Sequence, residues 1–291
     1  MTSALQGKIA IITGANQGLG LNIASRYVAS GASVVLCARN GHLLEEVAGK
    51  LAQHASSGQR VEAIAADVSN PVDVERVVTL GLSTFGSIDV LVNNAGIYGP
   101  MGAIEEIDWQ QWVRALEINI NGSVLMARAV LPGMKLRRRG KIIQLSGGGA
   151  TNPMPWISAY AVSKAAVVRF TETLAEEVRE FNIDVNAIAP GALNTRMLDE
   201  VLAAGPERVG AAFFNRSSKQ KESGGAGLEG ATALAIFLAS NASDGITGKL
   251  ISAVWDNWEC WPQHVKELAS SDIYTLRRVA GRDRDAAWGD K

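Results

Sequence analysis

Residues 8–13, 33–37, 61–65, 90–93, 141–145, 184–189 and 249–253 are short runs, rich in Val and Ile, in which apolar positions follow one another with little alternation. Runs of this kind fit the strands of a parallel sheet covered by helices on both faces, because both sides of each strand are then buried. The segments between them have the mixed pattern of helices. Residues 21–30 stop at Gly31, a residue suited to the end of a helix, and the segment from Pro71 is preceded by Ser69 and Asn70 as capping residues.

Strands alternating with helices imply right-handed crossovers, so the expected fold is a single doubly wound α/β domain over residues 1–253 with a parallel sheet of about seven strands. Ligands bind such sheets at the C-terminal ends of the strands, which draws attention to the loops at 14–20, 93–96, 146–149 and 190–195. Two regions break the rhythm. Residues 194–227 read as a polar, glycine-studded insertion around Phe213 and Phe214, and residues 254–291 as a C-terminal extension carrying Trp255, Trp258, Trp261 and Trp288.

With 291 residues, 47% of them hydrophobic, the chain can bury a large core. Lys and Arg number 28 against 29 Asp and Glu, and the one basic run is Arg137, Arg138 and Arg139, so nothing calls for nucleic acid or an anionic membrane. Cys37 and Cys260 cannot build a disulfide framework, which fits a reducing compartment. No stretch approaches the roughly 20 apolar residues of a membrane span. The expectation is a soluble cytoplasmic protein.

Between the first strand and the first helix stands TGANQGLG, residues 13–20. Gly14 can make the tight turn, Gly18 lets the backbone approach a pyrophosphate, and Gly20 lets helix and strand pack closely, with phosphates at the helix N-terminus. Asn16 and Leu19 complete this cofactor-facing loop. After the second strand, where an acid would hold the ribose 2′-hydroxyl of NAD, the chain reads Arg39 and Asn40. A guanidinium suits a 2′-phosphate, so NADP(H) is preferred, with NAD(H) the alternative. Asp67, with Val68 beside it, could accept from an adenine amino group or cap its turn. Asn93, Ala95 and Gly96, in the run NNAG, could lie against the cofactor, or the asparagines could tie strands together.

Tyr160 and Lys164 are four apart and would be neighbours on a helix, where an ammonium lowers a phenol's pKa towards the range useful for proton transfer. With these motifs in view, the chain from about residue 7 to 253 resembles the short-chain dehydrogenases/reductases of the non-extended type. The residues that carry the resemblance are Thr13, Gly14, Gly18, Gly20, Asp67, the NNAG run, Asn119, Tyr160, Lys164 and NAIAPGALNT at 186–195. The resemblance implies a Rossmann-like fold and hydride transfer between a nicotinamide and a carbonyl or alcohol. It also implies Tyr160 as general acid/base, Lys164 on the nicotinamide ribose, Asn119 holding a water of a proton relay, and Pro190, Gly191 and Thr195 at the nicotinamide end.

One position departs from the family pattern. The family's serine commonly lies thirteen residues before the tyrosine, where this chain has Gly147, and Ser146 stands one residue earlier. Neighbours on a strand point to opposite faces, although three following glycines could redirect the backbone. Ser146 is taken as the catalytic hydroxyl, with Thr151, Ser158 or no hydroxyl as alternatives. Met197, Phe213 and Phe214 would wall the substrate site opposite Tyr98, Met154 and Trp156. The leading function is an NADP-dependent oxidoreductase on a small-molecule secondary alcohol or ketone. The alternatives are a nucleotide-binding regulator on a weakened enzyme scaffold, suggested by Gly147, and an interaction protein, suggested by the tryptophans. No metal is expected. The tryptophans should bury against the domain or a second subunit of a homo-oligomer, a dimer or tetramer.

Overall fold

The computed structural model of the chain describes residues 3–286 and 288. The sheet has seven parallel strands: β1 (Ile9–Thr13), β2 (Ser33–Ala38), β3 (Val61–Ala65), β4 (Val90–Asn93), β5 (Gly140–Leu145), β6 (Ile183–Ala189) and β7 (Leu250–Ser252), in the order β3-β2-β1-β4-β5-β6-β7. The chain leaves β1 in one direction across the sheet, then returns to β4 on the other side. The C-terminal ends of β1 and β4 therefore flank the crevice of a doubly wound fold.

Successive strand residues serve two different cores. On β1, Ala10 and Ile12 pack with α1 (Gly18–Ala29), α2 (Gly41–Ala52) and α10 (Leu228–Ala239), while Ile11 between them faces the opposite layer. That layer is built from α3 (Pro71–Phe85), α5 (Gly122–Arg137) and α6 (Ser158–Val178). The unbroken apolar runs of the sequence are thus two interleaved period-2 patterns. Cys37 is buried in β2 as a free thiol. At α3, Asn70 caps the helix by accepting from the Val72 N–H, whereas Ser69 is used elsewhere.

Between α4 (Trp109–Leu116) and α5, residues Glu117–Asn121 form one turn of π-helix, a local widening often found at functional sites. Residues 194–227 are largely helical: α7 (Arg196–Ala204), α8 (Pro206–Val209) and α9 (Ala211–Ser223), separated by Gly205 and Gly210, both with positive φ. The chain after β7 folds back across the sheet edge. The Leu250 N–H donates to the Tyr274 carbonyl, and Lys249 Nζ donates to the carbonyls of Ser271 and Ile273. This segment includes α11 (Val265–Ser270).

The tryptophans of the extension have different fates. Trp261 is buried with its ring 4.4 Å from Tyr274, and Trp258 is half-buried against Phe237. Trp255 and Trp288 are exposed in the single chain, so burial of Trp255 would need a second subunit. Each projects from a turn, and among the described residues no element packs over it.

Candidate active site

One cleft of about 1570 Å³ opens at the C-terminal ends of the strands and gathers Gly14, Asn16, Gly18, Leu19, Gly20, Arg39, Asp67, Val68, Ala95, Gly96, Ser146, Gly147, Tyr160, Lys164, Pro190, Gly191 and Thr195. Residues far apart in sequence meet there because each follows a strand of the same sheet.

The glycine turn is shaped by its own backbone. Gly14 has φ 63° and Gly18 has φ 56°, conformations that favour glycine. A Cβ at Gly20 would overlap the Gly14 carbonyl and the Asn94 side chain, so α1 and β1 can approach this closely only with glycine there. The first turn of α1 carries no acidic residue and no side-chain cap, leaving its N–H groups free for an anion. Opposite, Thr13 Oγ1 accepts from the N–H groups of Asn94 and Ala95 at 3.0 Å, and Asn94 Nδ2 donates to the Thr13 and Gly14 carbonyls. Thr13, which the sequence motif contains, thus joins the β1 turn to the β4 loop. A hydroxyl ending a buried strand just before the turn is the signal for it.

Asn93 is corrected. It is buried at the end of β4, its Nδ2 donates to the Ser123 carbonyl of α5, and it is not among the cleft-lining residues. The side chain goes to the helix because strand alternation sends Asn93 towards α5 while Asn94 turns to β1.

Arg39 is exposed at the rim, and no hydrogen bond or ion pair engages its guanidinium among the described residues. Asn40 beside it caps α2 by accepting from the Leu43 N–H. Asp67 faces the cleft while Ser69 donates to it twice and Arg114 of α4 pairs with it. Burial raises the carboxyl's pKa, but the Ser69 hydrogen bonds and the Arg114 guanidinium outweigh burial and hold it below the usual range.

On α6 the Tyr160 phenol and the Lys164 ammonium share the cleft-facing side, with Nζ 5.6 Å from the ring centroid. Nζ donates to the Leu145 carbonyl at 2.7 Å, and burial lowers its pKa to about 8. The phenol's pKa is raised, by burial first and by Tyr98 second. The expected lowering of the phenol is not seen in the free protein: burial disfavours the phenolate, and it disfavours the charge of Lys164 as well.

Asn119 lies behind the cleft in the π-helical turn. Its Oδ1 accepts from the Ile97 N–H, and its Nδ2 donates to the Ile97 carbonyl and to Ser163 Oγ, all at 2.9 Å. Both of its amide hydrogens are committed to protein groups. The effect is to clamp the loop that carries Tyr98, whose ring lies 4.7 Å from that of Tyr160 at 58°.

Ser146 lines the cleft, as its neighbour Gly147 does, but its hydroxyl is turned to the backbone of α6. Ser146 is buried, and its hydroxyl donates to the Lys164 carbonyl at 3.4 Å. Position 147 is the one that faces the phenol, since a Cβ there would overlap the Tyr160 hydroxyl. Gly147 has φ 177° and ψ 176°, so the strand simply continues extended and its neighbours alternate. Of the other hydroxyls considered, Thr151 is exposed and Ser158 accepts from the Trp112 indole.

The insertion supplies Met197 and Phe213 to the cleft, with Arg216, Ser217 and Gln220 on the same side of α9. Tyr98 and Met154 also line it. Trp156 does not. It has φ 72°, and its indole packs on Gly210 between α8 and α9, where a Cβ would lie 2.6 Å from Nε1. Trp255 reaches the cleft mouth from beyond β7.

A family model described as short chain dehydrogenase matches residues 8–205. Over 210 residues the chain is 36% identical to Dehydrogenase/reductase SDR family member 7B of Rattus norvegicus, covering 71% of this chain and 64% of that relative's length. Over 247 residues it is 32% identical to Dehydrogenase/reductase SDR family member 4 of Sus scrofa, covering 85% of this chain and 86% of that one. Among solved structures, an NAD+-bound xylitol dehydrogenase superposes with a TM-score of 0.77 at 26% identity, over 85% of this chain and 98% of that chain.

Proposed function

The chain belongs to the short-chain dehydrogenase family, and from that premise we propose that it is an NADP-preferring oxidoreductase that interconverts a secondary alcohol and a ketone, with Tyr160 as general acid and base. One observation carries the reading: a single cleft is lined both by the free N–H end of α1 and by the Tyr160 phenol beside Lys164.

The glycine turn fits a nucleotide. The bare first turn of α1 attracts phosphate, and glycine at 14 and 20 lets the turn close against Asn94 and Ala95 and α1 approach β1. When bound, the nicotinamide supplies or accepts the hydride. The chain's own groups manage the proton: Tyr160 gives it to the forming alkoxide or takes it from the alcohol, and a charged Lys164 favours the phenolate. Arg39 supports NADP because it is free and stands where no carboxylate would repel a 2′-phosphate. The family's roles for Asp67, Asn119, Pro190, Gly191 and Thr195 are part of the same proposal. We extend it to a homo-oligomer, supported by the exposed rings of Trp109 and Trp255, with sedimentation as its test.

The test is oxidation of NADPH and NADH by the purified protein with cyclohexanone, acetophenone and 2-octanone. Turnover that is faster with NADPH supports the reading. NADPH binding with no turnover on any ketone would instead favour a nucleotide-binding regulator, the reading that Gly147 suggests.

A further inference from the structure

In the reaction proposed above, charge grows on the substrate oxygen, and such an oxyanion is best held by more than one preorganised donor. Tyr160 is one. The position that faces its hydroxyl from the neighbouring strand is 147, where glycine offers no donor. Ser146 and Thr151 also line the cleft, but the Ser146 hydroxyl donates to the Lys164 carbonyl, and Thr151 is exposed with its Oγ1 accepting from Asn152 Nδ2.

Tyr98 meets the requirement. It lines the same cleft, its ring packs directly on Tyr160 at 4.7 Å, and its hydroxyl has no hydrogen-bond partner among the described residues. Its backbone is held from both sides. Asn119 bonds both the N–H and the carbonyl of Ile97, and Gly99 packs so tightly on α4 that a Cβ there would lie 2.7 Å from the Ala115 Cβ. A half-buried ring on a clamped loop is preorganised, as a donor to a developing charge must be.

We propose that the Tyr98 hydroxyl is the second hydrogen-bond donor to the substrate oxygen, standing in for the side chain absent at Gly147. Burial, with Glu200 of α7 adding to it, pushes the Tyr98 pKa up to about 12, so the donor keeps its proton throughout the range in which the enzyme would work. Gly147 and Tyr98 then form a pair: without a side chain at 147, the Tyr160 hydroxyl fills that space and Tyr98 closes over the ring.

The inference rests on the catalytic reading of Tyr160, and the test separates the two. Tyr98→Phe, Tyr98→Leu and Tyr160→Phe are compared with wild type for kcat, KM, NADPH affinity and melting temperature, using whichever of cyclohexanone, acetophenone and 2-octanone is turned over. Tyr98→Phe keeps the ring and should lower kcat roughly a hundredfold, with NADPH affinity and melting temperature unchanged. Tyr98→Leu should be no more than about tenfold slower than Tyr98→Phe. If Tyr98→Phe keeps kcat within about twofold, or changes KM alone, while Tyr160→Phe is inactive, Tyr98 is not the donor and the Tyr160 mechanism stands. If Tyr160→Phe is fully active, or wild type turns over none of the ketones, both fall together.

Discussion

The hydroxyl of Tyr160 occupies the space that a side chain at Gly147 would fill. The backbone at Gly147 is extended, so conformation does not require glycine there; the phenol does. Gly147→Ser should therefore disrupt the site, even though it recreates the hydroxyl common in the family. Moving a half-buried ring packed on Tyr98 should cost about 1 to 3 kcal/mol of stability and lower turnover. Thermal melts and kinetics of Gly147→Ser check this, and higher turnover with unchanged melting would contradict it.

Arg39 predicts cofactor choice. Arg39→Ala should weaken NADPH by about 1.5 to 3 kcal/mol, near tenfold to a hundredfold, and leave NADH almost unchanged. Dissociation constants from fluorescence quenching read the difference. Equal losses for the two nucleotides would mean the guanidinium does not see the 2′-phosphate.

Burial of Lys164 has a pH signature in the nucleotide-free protein. Its pKa falls from 10.5 to about 8, so between these values the unfolded chain binds more protons than the folded one, and stability rises with pH across that window. From pH 7.5 to 9.5 this group alone contributes a gain on the order of 2 kcal/mol. Lys164→Met, which cannot titrate, should lack the gain. Denaturant midpoints of both proteins at the two pH values test it; parallel pH dependence in the two would show that the amine is solvated.

The extension should divide by burial. Trp261 is 4% exposed and Trp255 is 86% exposed. Trp261→Ala should cost about 3 to 5 kcal/mol, and Trp255→Ala should leave the melting temperature of the monomeric fold within a degree or two. Equal effects of the two substitutions would show that Trp255 is covered in solution.

The strands were legible because burial on both faces removes the polar positions that blur a pattern: 33–37 became Ser33–Ala38, and 90–93 was matched to the residue. The helices of 194–227 were not, since α9 is mostly exposed and Gly205 and Gly210 interrupt the periodicity. At the cleft, the glycine turn was readable because close backbone approach demands glycine. The choice between Asn93 and Asn94, or between Ser146 and position 147, depends on which way a side chain points at a strand's end. Alternation predicted that direction for Ser146, and the glycine run did not override it. What Tyr98 contributes could not be seen without the Asn119 clamp, which joins residues 22 apart in the chain.

The most direct test of the central claim is turnover of Tyr160→Phe alongside its NADPH affinity. The phenylalanine keeps the ring against Tyr98 and removes only the transferable proton, so kcat on the ketone that wild type reduces should fall by about a hundredfold to ten-thousandfold while NADPH binds within a few-fold of wild type. Near-normal kcat with intact NADPH binding would contradict the assignment of Tyr160 as the acid and base.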